Sequence, residues 1–134
     1  SYVKIRNANA NVILNEIKKF KNCFYNFDYH KSNYTNAFYR LNLIIKPTSY
    51  KKSSSRNKIL NEMFFNNYFC QVGGCSELYL EKPIKKKIGK KTFKNAEISS
   101  KNSISFIVDN TLSKKDIKKY SVVINKVLSK HLLI

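Results

Sequence analysis

SISFIVDNTLSKKDIKKYSVVINKVLSK, residues 103–130, holds the strongest periodic signal in the chain, and how it is read decides the fold. Ser113 followed by Asp116 has the spacing of a helix N-cap with an acidic residue three positions on, which also complements the positive end of the helix dipole. From there Ile117, Tyr120, Ile124, Val127, Leu128 and His131 recur at three and four, forming one apolar stripe. Lys115, Lys119, Lys126 and Lys130 gather on a separate face at about 100° per residue. Upstream, Ile104, Ile107 and Val108 mark a shorter helix, with Asp109-Asn110-Thr111 as the turn between them. The two helices form a hairpin whose apolar side must pack on something, most simply a sheet.

The first two-thirds supply that sheet. Val12 and Leu14 alternate with Ile13 and Asn15, while Cys23, Tyr25 and Phe27 alternate with Phe24, Asn26 and Asp28. Period-two alternation predicts an antiparallel strand pair joined near Lys18 to Lys21. Ile13, Ile17 and Phe20 also fit helical spacing, so a helix over 12–20 is the competing assignment. Phe38, Leu41 and Ile45 predict a short helix within 35–47, leaving in an extended form toward Pro47. Residues 49–58 are polar and serine-rich and read as a loop, and NEMFFNNYFCQV as extended chain. Gly73-Gly74 marks a turn, followed by a strand over 77–81 with Leu78 and Leu80 on one side. The expected fold class is α+β: a small antiparallel sheet with a short helix, then a C-terminal helical hairpin and irregular basic segments. The 134 residues suit one domain, mostly β over 1–81, basic and extended over 82–98, helical over 99–134.

Charge is the outlying property. The net charge is +18, from 26 Lys and Arg against 8 Asp and Glu. Divided after Asn67, each half carries +9, so the charge is not held in one tail. Such self-repulsion would be relieved by a polyanion. Seven lysines fall in EKPIKKKIGKKTFK, residues 81–94, where Pro83 and Gly89 discourage regular structure. An irregular basic segment tracking RNA phosphates is the expectation there, carried by Lys82, Lys85, Lys86, Lys87, Lys90, Lys91 and Lys94. Lys51, Lys52 and Arg56 form a second patch, Lys119, Lys126 and Lys130 a third, and Arg6 and Arg40 complete the expected RNA-binding set. The wealth of Asn, Lys, Ile and Tyr is the signature of an AT-rich genome and implies no function.

Other chemistries find less support. His30 and His131 are the two histidines, the carboxylates are scattered, and no Gly-rich phosphate loop occurs, so no enzyme and no cofactor is expected. Cys70 and Cys75 have zinc-ligand spacing and Cys23 with His30 could complete a set, but Cys23 and Cys70 sit among aromatics and read better as small core residues. Three cysteines make a poor disulfide framework and favour a reducing compartment. No run of 18 apolar residues and no signal-peptide pattern is present, and a membrane partner is not expected.

Three stretches resemble the eukaryote-type large-subunit ribosomal protein family called L twenty-eight e. YVKIRNAN resembles its opening through Tyr2, Val3, Ile5, Arg6 and Asn7, and NYTNAFYRLNLI a second segment through Asn36, Phe38, Leu43 and Ile44. The C-terminal stretch resembles its two-helix end, with Ser103-Ile104 opening the first helix and Asp116-Ile117 near the start of the second. Asn42 and Lys115 depart from that pattern, which favours Gly and Pro there. The resemblance implies a structural constituent of the cytoplasmic large ribosomal subunit with rRNA and ribosomal proteins as partners, no small-molecule substrate and no homo-oligomer. A transient RNA-binding assembly factor is the alternative.

Overall fold

The computed structural model describes residues 1–28, 36–74, 77–89 and 91–134. The class is α+β, with one three-stranded antiparallel sheet and several helices. His30, Cys75 and Lys90 lie outside the described residues.

Helix α1, Tyr2–Glu16, replaces the first strand expected from Val12 and Leu14. Asn9, Ala10, Ile13, Leu14 and Ile17 are buried at helical spacing, and that longer stripe overrides an alternation only a few residues long. A 3-10 turn, Lys18–Cys23, then carries Phe20 and Cys23 into the core. The expected extension beyond Cys23 begins correctly but finds a different partner: Phe24 bridges Ile45, with Tyr25 N–H donating to Ile44 O at 2.9 Å and Lys46 N–H to Cys23 O at 2.8 Å.

Strand β1, Leu41–Ile44, stands where a short helix was expected. Leu41, Leu43 and Ile45 are fully buried while Asn42 is exposed, so the period is two. The residues of helix α2, Arg56–Phe65, were expected to be loop and extended chain. Ser55 caps the helix, accepting from Lys58 N–H at 3.3 Å, and it buries just Ile59 and Met63. A two-residue stripe is too short to declare a period. Strand β2, Cys70–Val72, is extended as expected. Gly74 turns the chain at φ +84°, and a Cβ on Gly73 would stand 3.1 Å from Ser103 Cβ and 3.2 Å from Ile104 backbone.

The strand expected over 77–81 is instead a 3-10 turn, Leu78–Leu80, whose two leucines are exposed. The first half of the lysine-rich stretch is not irregular. It forms helix α3, Lys82–Ile88, because Pro83 suits the first turn of a helix and Gly89 at φ +74° suits its end. Helix α4, Lys94–Asn102, follows and leads directly into strand β3, Ser103–Phe106.

Strand β3 removes the expected helical hairpin. It is the middle strand, in the order β1-β3-β2, and all four of its residues are buried. A strand covered on both faces shows no alternation, and the spacing of Ile104, Ile107 and Val108 then mimics a helix. Helix α5, Lys114–His131, forms as the stripe predicts, burying Ile117, Tyr120, Ser121, Ile124, Val127 and Leu128. It packs against α1 and α2. Leu41, Leu43, Cys70, Ile104 and Phe106 of the sheet join the same core.

Candidate functional site

Pairing across the sheet decides what its second face presents. Asn42 lies opposite Ser105, and Gln71 opposite Ser105 from the other side. Opposed residues share a face, so Asn42, Ser105 and Gln71 form a polar row across all three strands. The neighbouring rows, Leu41 with Phe106 and Cys70, and Leu43 with Ile104, face the core. Over the polar row opens a cleft of about 470 Å³, lined also by Asn36, Phe38, Tyr39, Arg40 and Gly74.

One cation, Arg40, lines this cleft, and a second, Arg6, meets the same tyrosine ring. The Arg40 and Arg6 guanidinium carbons lie 5.7 and 5.9 Å from the centre of the Tyr39 ring, which is itself 73% exposed. Asn7, one residue after Arg6 on α1, donates to Asn36 O at 2.5 Å and ties that helix to the lip of the cleft. Arg40 Nη1, Arg6 Nε and Ser105 Oγ are shut off from solvent and have no hydrogen-bond partner among the described residues. Ser103, two positions earlier on β3, differs: its hydroxyl donates to Gly73 O. Near Arg6, Asp109 is held below the usual carboxylate range, first by the backbone N–H of Thr111 at 2.8 Å, then by the Thr111 side chain, with Arg6 a lesser contributor. Beneath lies Tyr120, whose hydroxyl donates to Phe69 O at 2.6 Å and accepts from Ile107 N–H at 3.3 Å. Burial pushes its ionisation well above the ordinary tyrosine value.

Of the expected basic residues, the fold brings Arg6 and Arg40 together around one ring. Others hold structure: Lys51 donates to Ser129 O at 2.7 Å, and Arg56 to Ser103 O at 3.0 Å. Lys130 pairs with Glu62, which also accepts from His131 Nε2 at 2.8 Å, while His131 Nδ1 lies 3.1 Å from Ser54 Oγ. Lys82, Lys85, Lys86 and Lys87 are exposed on α3, as are Lys52, Lys91, Lys94, Lys119 and Lys126 elsewhere. Sequence reading missed Tyr39, Gln71 and Ser105, because register alone places them beside the two arginines. Cys23 and Cys70 are core residues, and burial raises the Cys70 thiol to about 12. Among the described residues no group of three or more His, Cys, Asp or Glu could hold a metal ion, and no helix is long and apolar enough to cross a membrane.

No family model matches the sequence, and no curated protein matches it. Solved structures do, among them enzymes that carry pyridoxal phosphate (PLP) or its amine form (PMP), or are named as aminotransferases. An aminotransferase from Psychrobacter cryohalolentis shares 25% identity with this chain and superposes over 96% of it with a TM-score of 0.85. The E. coli GDP-4-keto-6-deoxy-D-mannose-3-dehydratase, solved with hydrated PLP bound, covers 94% of this chain at 15% identity with a TM-score of 0.68. A putative sugar aminotransferase from Streptococcus pneumoniae in its PMP form covers 92% at 15% identity with a TM-score of 0.59. The chain spans about a third of each: 35%, 30% and 32% of their lengths.

These likenesses overturn the ribosomal resemblance, for the structures on which the chain superposes are enzymes and no family model matches. The function as a ribosomal constituent or assembly factor falls with it. So do the expected absence of a catalytic role, the rRNA and ribosomal-protein partners and the exclusion of a small-molecule substrate. Of the residues that suggested the family, Tyr2, Val3, Ile5, Arg6 and Asn7 lie on α1, where Tyr2 and Ile5 are exposed, and Leu43 and Ile44 lie in β1.

Proposed function

We propose that this chain is the smaller α+β unit of a PLP-dependent enzyme acting on sugars, by amino transfer to a keto-sugar or by loss of water from one. The superposition over 96% of the chain on the Psychrobacter cryohalolentis aminotransferase, with a TM-score of 0.85, carries that reading.

The described residues do not hold the cofactor by themselves. PLP supplies an electron sink, and proteins hold it through a lysine amine and a charged partner for its ring nitrogen. Lysines suited to that link are drawn out of water. Here Lys46 and Lys51 are half-buried and every other described lysine is exposed. Lys46 sits over the Tyr25 ring, and Lys51 is bound to a helix carbonyl. Glu16, Glu62 and Glu97 are engaged by Lys118, Lys130 and Lys101, and Asp109 and Asp116 serve a turn and a cap. The described lysines offer the cofactor no such link, and in this reading it belongs to protein outside them. Phe64, Phe65 and Phe69, 69%, 81% and 51% exposed, are aromatic surface of the kind an adjoining body covers.

The test is to purify the protein bearing this chain from its own cells, reduce it with borohydride and map the pyridoxyl mark by mass spectrometry. The expected result is one mark per protein, on a lysine outside residues 1–134. A preparation free of PLP, or a mark on a lysine of this chain, overturns the reading.

A further inference from the structure

We infer that the cleft over the polar row of the sheet is an oxyanion site, taking a phosphate or carboxylate group against Arg40 and Ser105 with Arg6 as a second cation across Tyr39. The inference goes beyond the enzyme reading and stands on this chain's geometry alone.

Three observations converge. The first is charge: two guanidinium groups flank one ring, and neither has an ion-pair partner among the described residues. Asp109, the carboxylate that feels Arg6, is committed to the Thr111 turn. The second is unmet bonding. Arg40 Nη1, Arg6 Nε and Ser105 Oγ are closed to water and have no protein acceptor or donor among the described residues. Buried polar groups in folded proteins are nearly always satisfied, and guanidinium donors are the ones that lose most when they are not. An oxyanion in the cleft supplies what Arg40 and Ser105 lack, since its oxygens accept from the guanidinium fork and from the hydroxyl together, with Arg6 adding charge from across the ring.

The third is rigidity. Ser105 is 1% exposed at the centre of the middle strand, fixed by pairing to Asn42 and Gln71 on both sides. Arg40 directly precedes β1, so its backbone is set by the same ladder. The space, about 470 Å³, admits the anionic end of a small molecule. The many exposed lysines attract anions diffusely, as compact hydrated charges on flexible stems. A planar guanidinium beside a fixed hydroxyl instead selects geometry.

Inorganic phosphate and acetate are the probes, each titrated at constant ionic strength while backbone amides are followed by NMR. Saturable shifts confined to Asn42, Gln71, Ser105 and their neighbours are expected. The stronger of the two names the source, a phosphate-bearing ligand or a carboxylic acid. Arg40→Gln should weaken binding about tenfold or more. Arg40→Lys, which keeps the charge and loses the fork, should weaken it as well and guards against a misfolded first variant. Replacing Lys85, Lys86 and Lys87 together by Gln should leave it unchanged. Shifts that never saturate, spread over the lysine-bearing helices, or persist at full strength in both Arg40 variants overturn the site. Failure here leaves the pyridoxyl mapping untouched, and the reverse is equally true.

Discussion

Tyr120 is a polar group placed where a core has little tolerance for one. Its ring stacks on Tyr68 at 5.7 Å and meets Phe106 edge-on at 6.4 Å, while its hydroxyl joins the backbone before β2 to that after β3. Tyr120→Phe keeps the ring and leaves Phe69 O and Ile107 N–H unpaired, so it should cost about 1–3 kcal/mol by urea denaturation at neutral pH. Burial raises the Tyr120 ionisation above its ordinary 10.0. The contribution is therefore complete below about pH 10 and is lost as pH rises toward the folded value. Tyr50, raised to about 12 by burial, acts in the same direction. The variant should consequently show a shallower alkaline loss than the parent without abolishing it. An equal slope in both would place the alkaline sensitivity on Tyr50 and on Cys70, which burial raises to about 12. Spacing alone put Tyr120 on the core stripe. Its partners, 51 and 13 residues away, are set by tertiary packing and left no trace in sequence. Arg6 and Arg40 were likewise legible as cations, whereas their meeting on Tyr39 depends on how α1 lies beside the approach to β1.

At the scale of elements, legibility followed the length of the buried stripe. Helix α5 carries six buried positions and a start signal that the structure reproduces in full: Ser113 Oγ accepts from Asp116 N–H at 3.1 Å, and its hydroxyl donates to the Asp116 carboxylate at 2.5 Å. Asp116 is held below the usual range first by that hydroxyl. Ser113→Ala should cost about 1 kcal/mol in thermal or urea unfolding. Asp116→Asn, which keeps the backbone donor and loses the charge at the helix N-terminus, should cost less. A neutral Ser113→Ala would mean that α5 is held by packing alone. Helix α2, with two buried positions, and β3, buried on both faces, gave no comparable signal, and Leu41 with Ile45 at β1 fitted helical spacing. The polar row depends on β3 being a strand. A helix over 103–108 would have scattered Asn42, Gln71 and Ser105, so the site was hidden with that one element.

For the whole molecule, a net charge of +18 describes a field and names no partner. Among the described residues, the cations neutralised by a carboxylate at contact distance are Lys101 by Glu97, Lys118 by Glu16 and Lys130 by Glu62, on a chain with 26 basic residues and 8 acidic ones. A chain this long has a radius of gyration of about 14 Å when compact. At 10 mM salt the screening length is about 30 Å, so every cation feels the others across the molecule; at 1 M it is about 3 Å and they are blind to one another. Unfolding at low salt spreads these charges apart and is favoured by that repulsion. The melting temperature should therefore climb steeply with sodium chloride in the lowest range and flatten once the screening length falls below the spacing between lysines. Screening also weakens these ion pairs, but exposed pairs contribute about 0–1 kcal/mol each and run against a much larger excess of like charge. Phosphate at matched ionic strength should add a further rise in the parent, and that increment alone should vanish in Arg40→Gln. A melting temperature that falls with added chloride would mean that the ion pairs outweigh the repulsion. An increment that survives in the variant would mean that phosphate acts on the lysine surface as a whole, leaving the arginine pair with no more claim on an anion than any other cation of the chain.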